Sequence, residues 1–217
     1  VSDIQHVCDA VPVIQSNQNE TTKTIRDEYA ERTRAEILKS ARAIFTKTGF
    51  TASSLQQIAK SAGVTRGALY HHFKNKEDIF LAVFRILQAE MIEKLGRTVS
   101  TEIDDGWTGV SAVLSSFLEY SQNEEYQQIV LIEGPGALGW AQWRKVEEEY
   151  AQGLIGNLID RLTEKGEIIT ANRDALGSMV MGLTIESSLA LAMNDGAYTA
   201  ADIQKIAKRM VFGLKAD

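Results

Sequence analysis

Thr51–Phe80 reads TASSLQQIAKSAGVTRGALYHHFKNKEDIF, and two short helical patterns joined by a glycine turn lie inside it. Ser54 heads the first: its hydroxyl is placed to accept from the backbone N–H of Gln57 while the Gln57 side chain reaches back, the reciprocal arrangement of a capping box. That helix runs to about Ser61. Gly63 supplies the turn, Val64 is an apolar plug expected against Ile58 and Leu69, and Thr65 is placed to cap the second helix. Asn75 caps a third pattern, with Glu77 and Asp78 in its first turn, where the helix dipole favours negative charge.

A unit of this shape fits its second helix into the major groove of double-stranded DNA while the first braces it across the backbone. The side chains suit that placement. Arg66 has the fork to bond guanine O6 and N7 together, and Thr65, Gly67 and Ala68 form a narrow edge that admits bases and thymine methyl groups. Tyr70, His72 and Lys76 offer donors to phosphate oxygens, with Thr51, Ser53 and Ser54 beside the backbone of the opposite strand.

Charge follows the same division. The chain of 217 residues carries 23 basic and 29 acidic side chains, a net charge of -6. From Lys23 to Lys76 there are 11 basic against 4 acidic residues, a balance of +7, so the remainder holds 12 against 25 and stands at -13. One surface seeks a polyanion and the other avoids it.

The composition, 44% hydrophobic, supports a real core. The only prolines are Pro12 and Pro135, so more than a hundred consecutive residues lack a helix breaker, which predicts an all-α chain. Cys8 is the single cysteine and implies no internal disulfide. No run approaches the ~20 uninterrupted apolar residues of a membrane span, and no basic segment leads into an apolar one at the start. A cytoplasmic protein that does not enter a membrane is expected.

Residues 1–22 show no sustained period and read as a flexible extension. From Ile25 a helix carries an apolar stripe of Ile37, Ala41, Ile44 and Phe45, and Gly49 ends it. The helix that begins after Asn75 is apolar around most of its circumference, at Ile79, Phe80, Leu81, Val83, Phe84, Ile86 and Leu87, so it must be covered on more than one side. Further helices are predicted over 107–122, 124–133, 138–165, 172–194 and 199–215, with breaks at Asp104-Asp105-Gly106, Gly134-Pro135-Gly136, Lys165-Gly166 and Asn194-Asp195-Gly196. Residues 167–170 (EIIT) have a locally extended character. About nine helices result, divided into an extension (1–22), a helix-turn-helix DNA-binding domain (23–76) and a larger helical domain (77–217).

The order Gly49-Phe50, Ser54 to Ala59 (SLQQIA), Gly63-Val64-Thr65, Leu69-Tyr70-His71-His72-Phe73 and Lys74-Asn75-Lys76-Glu77-Asp78 strongly resembles the TetR family of bacterial transcriptional repressors. The likeness spans about fifty residues in the right order and spacing, which is far more specific than a lone short motif. It implies that Arg66, Gly67, Ala68 and His71 read bases and that Ser53, Ser54, Tyr70, His72 and Lys76 contact phosphates. Ser54 stands where threonine is more usual, and the capping hydroxyl is retained. The pair His71-His72 does not suggest a metal, since adjacent helical residues point about 100° apart and no Cys or carboxylate completes a site. No metal or cofactor is expected.

The resemblance also implies that the body binds an effector and dimerises. Glu133–Arg144 is similar to a segment that many members carry between their sixth and seventh helices; there Trp140 and Trp143 either line a cavity or fill the core. Apolar faces crossing the body nominate Trp107, Phe117, Tyr120, Tyr126, Trp143, Tyr150, Met179 and Leu183 as pocket residues. Glu186, the only charged residue between Ala175 and Met193, joins them: buried, it needs a ligand or a partner across a dimer; otherwise it lies at an exposed edge. Small residues such as Gly182, Ser187 and Ser188, with Ile206, Met210 and Leu214, resemble the family's four-helix dimer interface. The expected partners are double-stranded DNA, a second copy of the chain and a small apolar or amphipathic effector. The enzyme alternative has little behind it, because no nucleophile, phosphate-loop or metal spacing is visible. A DNA-bound protein whose body docks another protein is the remaining alternative, and a closed apolar cavity would argue against it.

Overall fold

The computed structural model describes residues 24–102, 106–168 and 172–216; the expected extension over 1–22 lies outside them. The helical segments are α1 (Ile25–Ala52), α2 (Leu55–Ser61), α3 (Arg66–His72), α4 (Lys76–Glu102), α5 (Gly106–Tyr120), α6 (Tyr126–Glu133), α7 (Gly134–Leu138), α8 (Trp140–Glu164), α9 (Arg173–Ala192) and α10 (Ala200–Phe212). Because α6 and α7 run together without a break, nine rods stand among the described residues, in line with the predicted all-α architecture.

Each rod of the N-terminal module begins on a side-chain cap. Thr24 and Asp27 form a reciprocal box at α1, Thr65 accepts from the Ala68 N–H at 3.1 Å at α3, and Asn75 accepts from the Asp78 N–H at 2.7 Å at α4. The box predicted at α2 is half made. Ser54 Oγ accepts from the Gln57 N–H at 3.2 Å, but the Gln57 side chain accepts from that same hydroxyl at 2.9 Å instead of returning to the backbone. Ile37, Leu38, Ala41 and Phe45 form the buried stripe of α1. Gly49 then turns the chain with φ 76° and ψ 169°, a region open essentially to glycine alone. A β-carbon there would run into the Glu133 carboxylate.

The apolar girth of α4 is accounted for by its neighbours. On one side Phe80 meets Phe45 and Phe50 edge-on, with ring centroids 5.2 and 5.1 Å apart. Farther along, α5, α6, α7 and α8 pack against it. A single cluster of buried residues therefore runs from Ile37, Ile58 and Leu69 through Phe80, Phe84 and Leu87 to Tyr126, Trp143 and Met181. A second cluster, built on Trp107, Leu114, Ile159 and Val211, joins α5, α8 and α10. Arg42 ties α1 to the body from outside: its Nη1 and Nη2 donate to Glu90 of α4 at 2.7 and 3.0 Å, and its Nε and Nη2 donate to Glu125, just before α6, at 2.9 and 2.6 Å.

Gly134-Pro135-Gly136 does not break the chain as predicted; the break falls at Gly139, where φ is 77°. The reason lies in α6, which is a π-helix. In its i to i+5 register the donor for the Val130 carbonyl would be the N–H of residue 135, which proline lacks. The Trp143 indole donates to that carbonyl instead, at 2.9 Å. Gly134 lets the ring approach, since a β-carbon there would lie 2.8 Å from Trp143 Cδ1.

Among the described residues α9 is long and apolar enough to cross a membrane, and here it packs against α8, α10 and α6. Of the extended stretch predicted over 167–170, Ile168 forms one antiparallel bridge with Lys215, the Glu167 carbonyl accepts from the Ala216 N–H at 2.9 Å, and 169–170 lie outside the described residues.

Gly49→Ala is expected to lower stability by about 1–3 kcal/mol, because it imposes a side chain on a glycine-only conformation. Gly136→Ala, in helix and facing open space, is the matched control and should be neutral or slightly stabilising. Urea unfolding midpoints check the pair; equal midpoints would remove Gly49 as a constraint.

Candidate functional site

On α3 and its N-cap, Thr65, Arg66, Gly67, Tyr70 and His71 are exposed on the surface, and Ala68 is half-buried beneath them. Leu69 is buried and fixes the rotation of the helix. Arg66 is held before any ligand arrives: its guanidinium lies 5.4 Å from the centre of the Tyr70 ring, and its Nη2 donates to the Tyr70 hydroxyl at 3.4 Å. The His71 and His72 rings meet edge-on at 5.3 Å. Partial burial, followed by the nearby His71 and Arg34, holds His72 below the usual imidazole range. At neutral pH it offers an N–H donor without a charge. Thr51 and Ser54 are exposed beside this face.

Two of the expected phosphate contacts are corrected. Ser53 is buried, and its hydroxyl donates to the Phe50 carbonyl at 2.7 Å. Lys76 is half-buried. Its ammonium donates to the Phe50 and Ser53 carbonyls at 2.6 and 2.8 Å and stands 4.3 Å from the centre of the Phe50 ring. Both carbonyls lie at the C-terminal end of α1; the Phe50 carbonyl also accepts from the Ser53 N–H at 3.3 Å, and Lys76 adds a charged donor to each. Both residues brace the C-terminal end of α1.

In the body a cavity of about 110 Å³ opens between α4, α5, α8, α9 and α10. Met91 and Leu95 of α4, Val110 of α5, Leu154 and Leu158 of α8 and Val180 of α9 are among its walls. It is smaller than the few hundred Å³ of a drug-sized site. Of the nominated pocket residues, Trp107 and Phe117 lie on the wall. The others do not, and each for a packing reason. Tyr126 and Trp143 are fully buried core. Tyr120 edges against Tyr126 at 5.3 Å, and Tyr150 packs partly on the same core. Leu183 packs on the second cluster. Met179 is 73% exposed and Glu186 is also exposed in the single chain, which removes the alternative that it is buried within it.

Glu147, on the cavity wall and 6% exposed, was not anticipated. Gln88 of α4, itself fully buried, donates from Nε2 to Glu147 Oε1 at 2.5 Å, and Gln88 Oε1 has no partner among the described residues. Burial pushes the Glu147 carboxyl up to about 8, against the opposing pull of Gln88 and Arg144. Burial, and next the nearby Glu147, hold the Tyr126 phenol protonated. A faint signal was present: Glu147 falls in the stripe Trp143, Glu147, Ala151, Leu154, Leu158, where its neighbours Glu148 and Glu149 do not.

Residues 37–83 match the family model described as bacterial regulatory proteins, tetR family, and residues 107–214 match a tetracyclin repressor-like C-terminal domain. The chain is 28% identical over 166 residues to the transposon Tn10 TetC protein of Escherichia coli, which covers 76% of this chain and 81% of that one. It is 31% identical over 118 residues to the HTH-type transcriptional regulator SrpR of Pseudomonas putida, covering 54% of each. The crystal structure of a TetR-family transcriptional regulator from Pectobacterium atrosepticum superposes with a TM-score of 0.76 at 31% identity, over 88% of this chain and 97% of that one.

Two outcomes follow from these placements. Lys76→Ala should cost about 2 kcal/mol of stability, since it strips a charged donor from two carbonyls; an unchanged urea midpoint would return Lys76 to the solvent. Glu147 keeps its proton in the folded chain up to about pH 8, whereas in the unfolded chain it ionises near 4.3. The native state therefore holds the extra proton between those values, so stability should fall as pH rises from about 5 to 8, by at most ~1.4 kcal/mol per unit. Glu147→Gln should flatten that part of the melting-temperature profile.

Proposed function

The chain belongs to the TetR family of bacterial regulatory proteins and is a DNA-binding transcriptional regulator; we propose that it works as a homodimeric repressor, released from a palindromic operator when a small apolar or amphipathic effector enters the body. In this reading residues 23–76 form the DNA-binding domain and 77–217 the effector-binding and dimerisation domain. Thr65, Arg66, Gly67, Ala68 and His71 read bases, and Thr51, Ser54, Tyr70 and His72 hold phosphates. The dimer forms through α9 and α10, whose outer faces expose Met179, Ile206 and Met210. These would complete a bundle with the same faces of a second copy.

The observation that carries the reading is the continuity of α4. One helix of 27 residues, about 40 Å at the α-helical rise, holds Phe80 and Phe84 in the core shared with the N-terminal module and Met91 and Leu95 in the cavity wall. An effector that displaces the cavity end of a rigid rod moves the other end. A coupling of ~1–3 kcal/mol is enough to alter operator occupancy.

Selection of bound DNA from a random pool is expected to recover an inverted repeat with half-sites about 34 Å apart. Arg66→Ala should lower discrimination between that site and random DNA by about 1–3 kcal/mol, whereas His72→Ala should weaken both alike. Equal losses from the two substitutions, or a chain that sediments as a monomer on the selected site, would overturn the reading.

A further inference from the structure

The cavity has an unusual wall. Glu147 is the single ionisable residue on it, and Thr184 is the one other side chain with a hydroxyl; almost everything else is aliphatic, with Trp107 and Phe117 as the aromatic members. A carboxyl in such a place is costly unless something compensates. Its internal compensation is incomplete, since Gln88 gives it one hydrogen bond and leaves its own Oε1 unpaired among the described residues. Arg144, one helical turn back on α8, acts on the carboxyl from a distance and pairs with Glu148 at 3.0 Å. No lysine, arginine or histidine stands on the wall.

Resting on the effector reading above, we infer that the cavity selects a small aliphatic amine, its apolar tail among Met91, Leu95, Val110 and Leu154 and its ammonium head on the Glu147 carboxylate. The head supplies the counter-charge and the N–H donors that the site lacks. In the empty cavity burial favours the protonated carboxyl; an incoming ammonium exchanges that proton for an ion pair, and the proton leaves to solvent. A fatty acid of the same length could accept from the protonated Glu147 carboxyl, but it would bury a net negative charge on a low-dielectric wall that holds no cation to balance it. An alcohol can donate only a single hydrogen bond. The small volume of the cavity favours a short chain over a drug-sized molecule.

Isothermal titration of the full chain with butylamine, butan-1-ol and sodium butanoate, probes short enough for a cavity of about 110 Å³, tests this. Butylamine should bind tighter than butanoate by about tenfold or more. Glu147→Gln should bring the three probes to within about threefold of one another, and Leu154→Trp, which fills the cavity, should abolish binding. Equal affinity for the probes, a preference for butanoate, or an amine preference that survives Glu147→Gln would overturn the inference and leave the cavity as an effector site. Amine binding that survives Leu154→Trp would be adsorption to the acidic surface and would overturn it as well. Binding of none of the three would remove the effector reading itself. The ranking of probes on the unaltered chain decides the matter even if a variant does not fold.

Discussion

Nearly every arrangement in this protein depends on α4 being gripped on more than one side, with only the flank that carries Arg85, Glu93 and Arg97 left to solvent. Phe80 closes the aromatic cluster under the helix-turn-helix, Leu87 and Gln88 meet α6 and α8, and Met91 and Leu95 stop at the cavity. A helix gripped by neighbours on several sides cannot rotate or slide without disturbing those contacts, because a close-packed interior resists partial accommodation. The reading face and the cavity are thereby referred to one axis.

That rigidity is maintained at the joint between module and body by groups that appear, on paper, to be surface chemistry. Lys76 and Ser53 spend their polar atoms on the backbone around Gly49. Trp143 spends its indole N–H on the carbonyl that Pro135 leaves open. Lys76 and Trp143 each reach from another element to a backbone carbonyl at an irregular point of the chain, so the irregularity and its remedy form together. The π-helical stretch is held between two such points: Glu133 faces Gly49 at one end and Glu125 meets Arg42 at the other.

The parts legible from sequence are those governed by short-range chemistry. Caps at Ser54, Thr65 and Asn75, the glycine turn, and the buried stripe of α1 each rest on residues within a few positions of one another, and the amphipathic period revealed the helices of the body to within a few residues. What escaped was set by partners distant in sequence. Helix phase shows that Tyr126, Trp143 and Tyr150 point inward, but not whether a neighbour fills the space they face; α6 and α8 do so. The same phase could not reveal that Met179 and Glu186 lie on the outer side of α9. Glu147 sat in an apolar stripe within a run of three glutamates, and only the fold separates the buried one from the others.

The Arg42 clamp bears on how DNA affinity responds to salt. Its guanidinium and both carboxylates remain partly open to solvent, so mobile ions weaken the clamp as they weaken contacts to phosphate. The dependence of operator affinity on ionic strength then holds two contributions: counterions released from DNA, and a loosening of the attachment between α1 and the body. A count of phosphate contacts taken from that slope alone would be too high, by an amount that belongs to the interior of the protein and not to the interface.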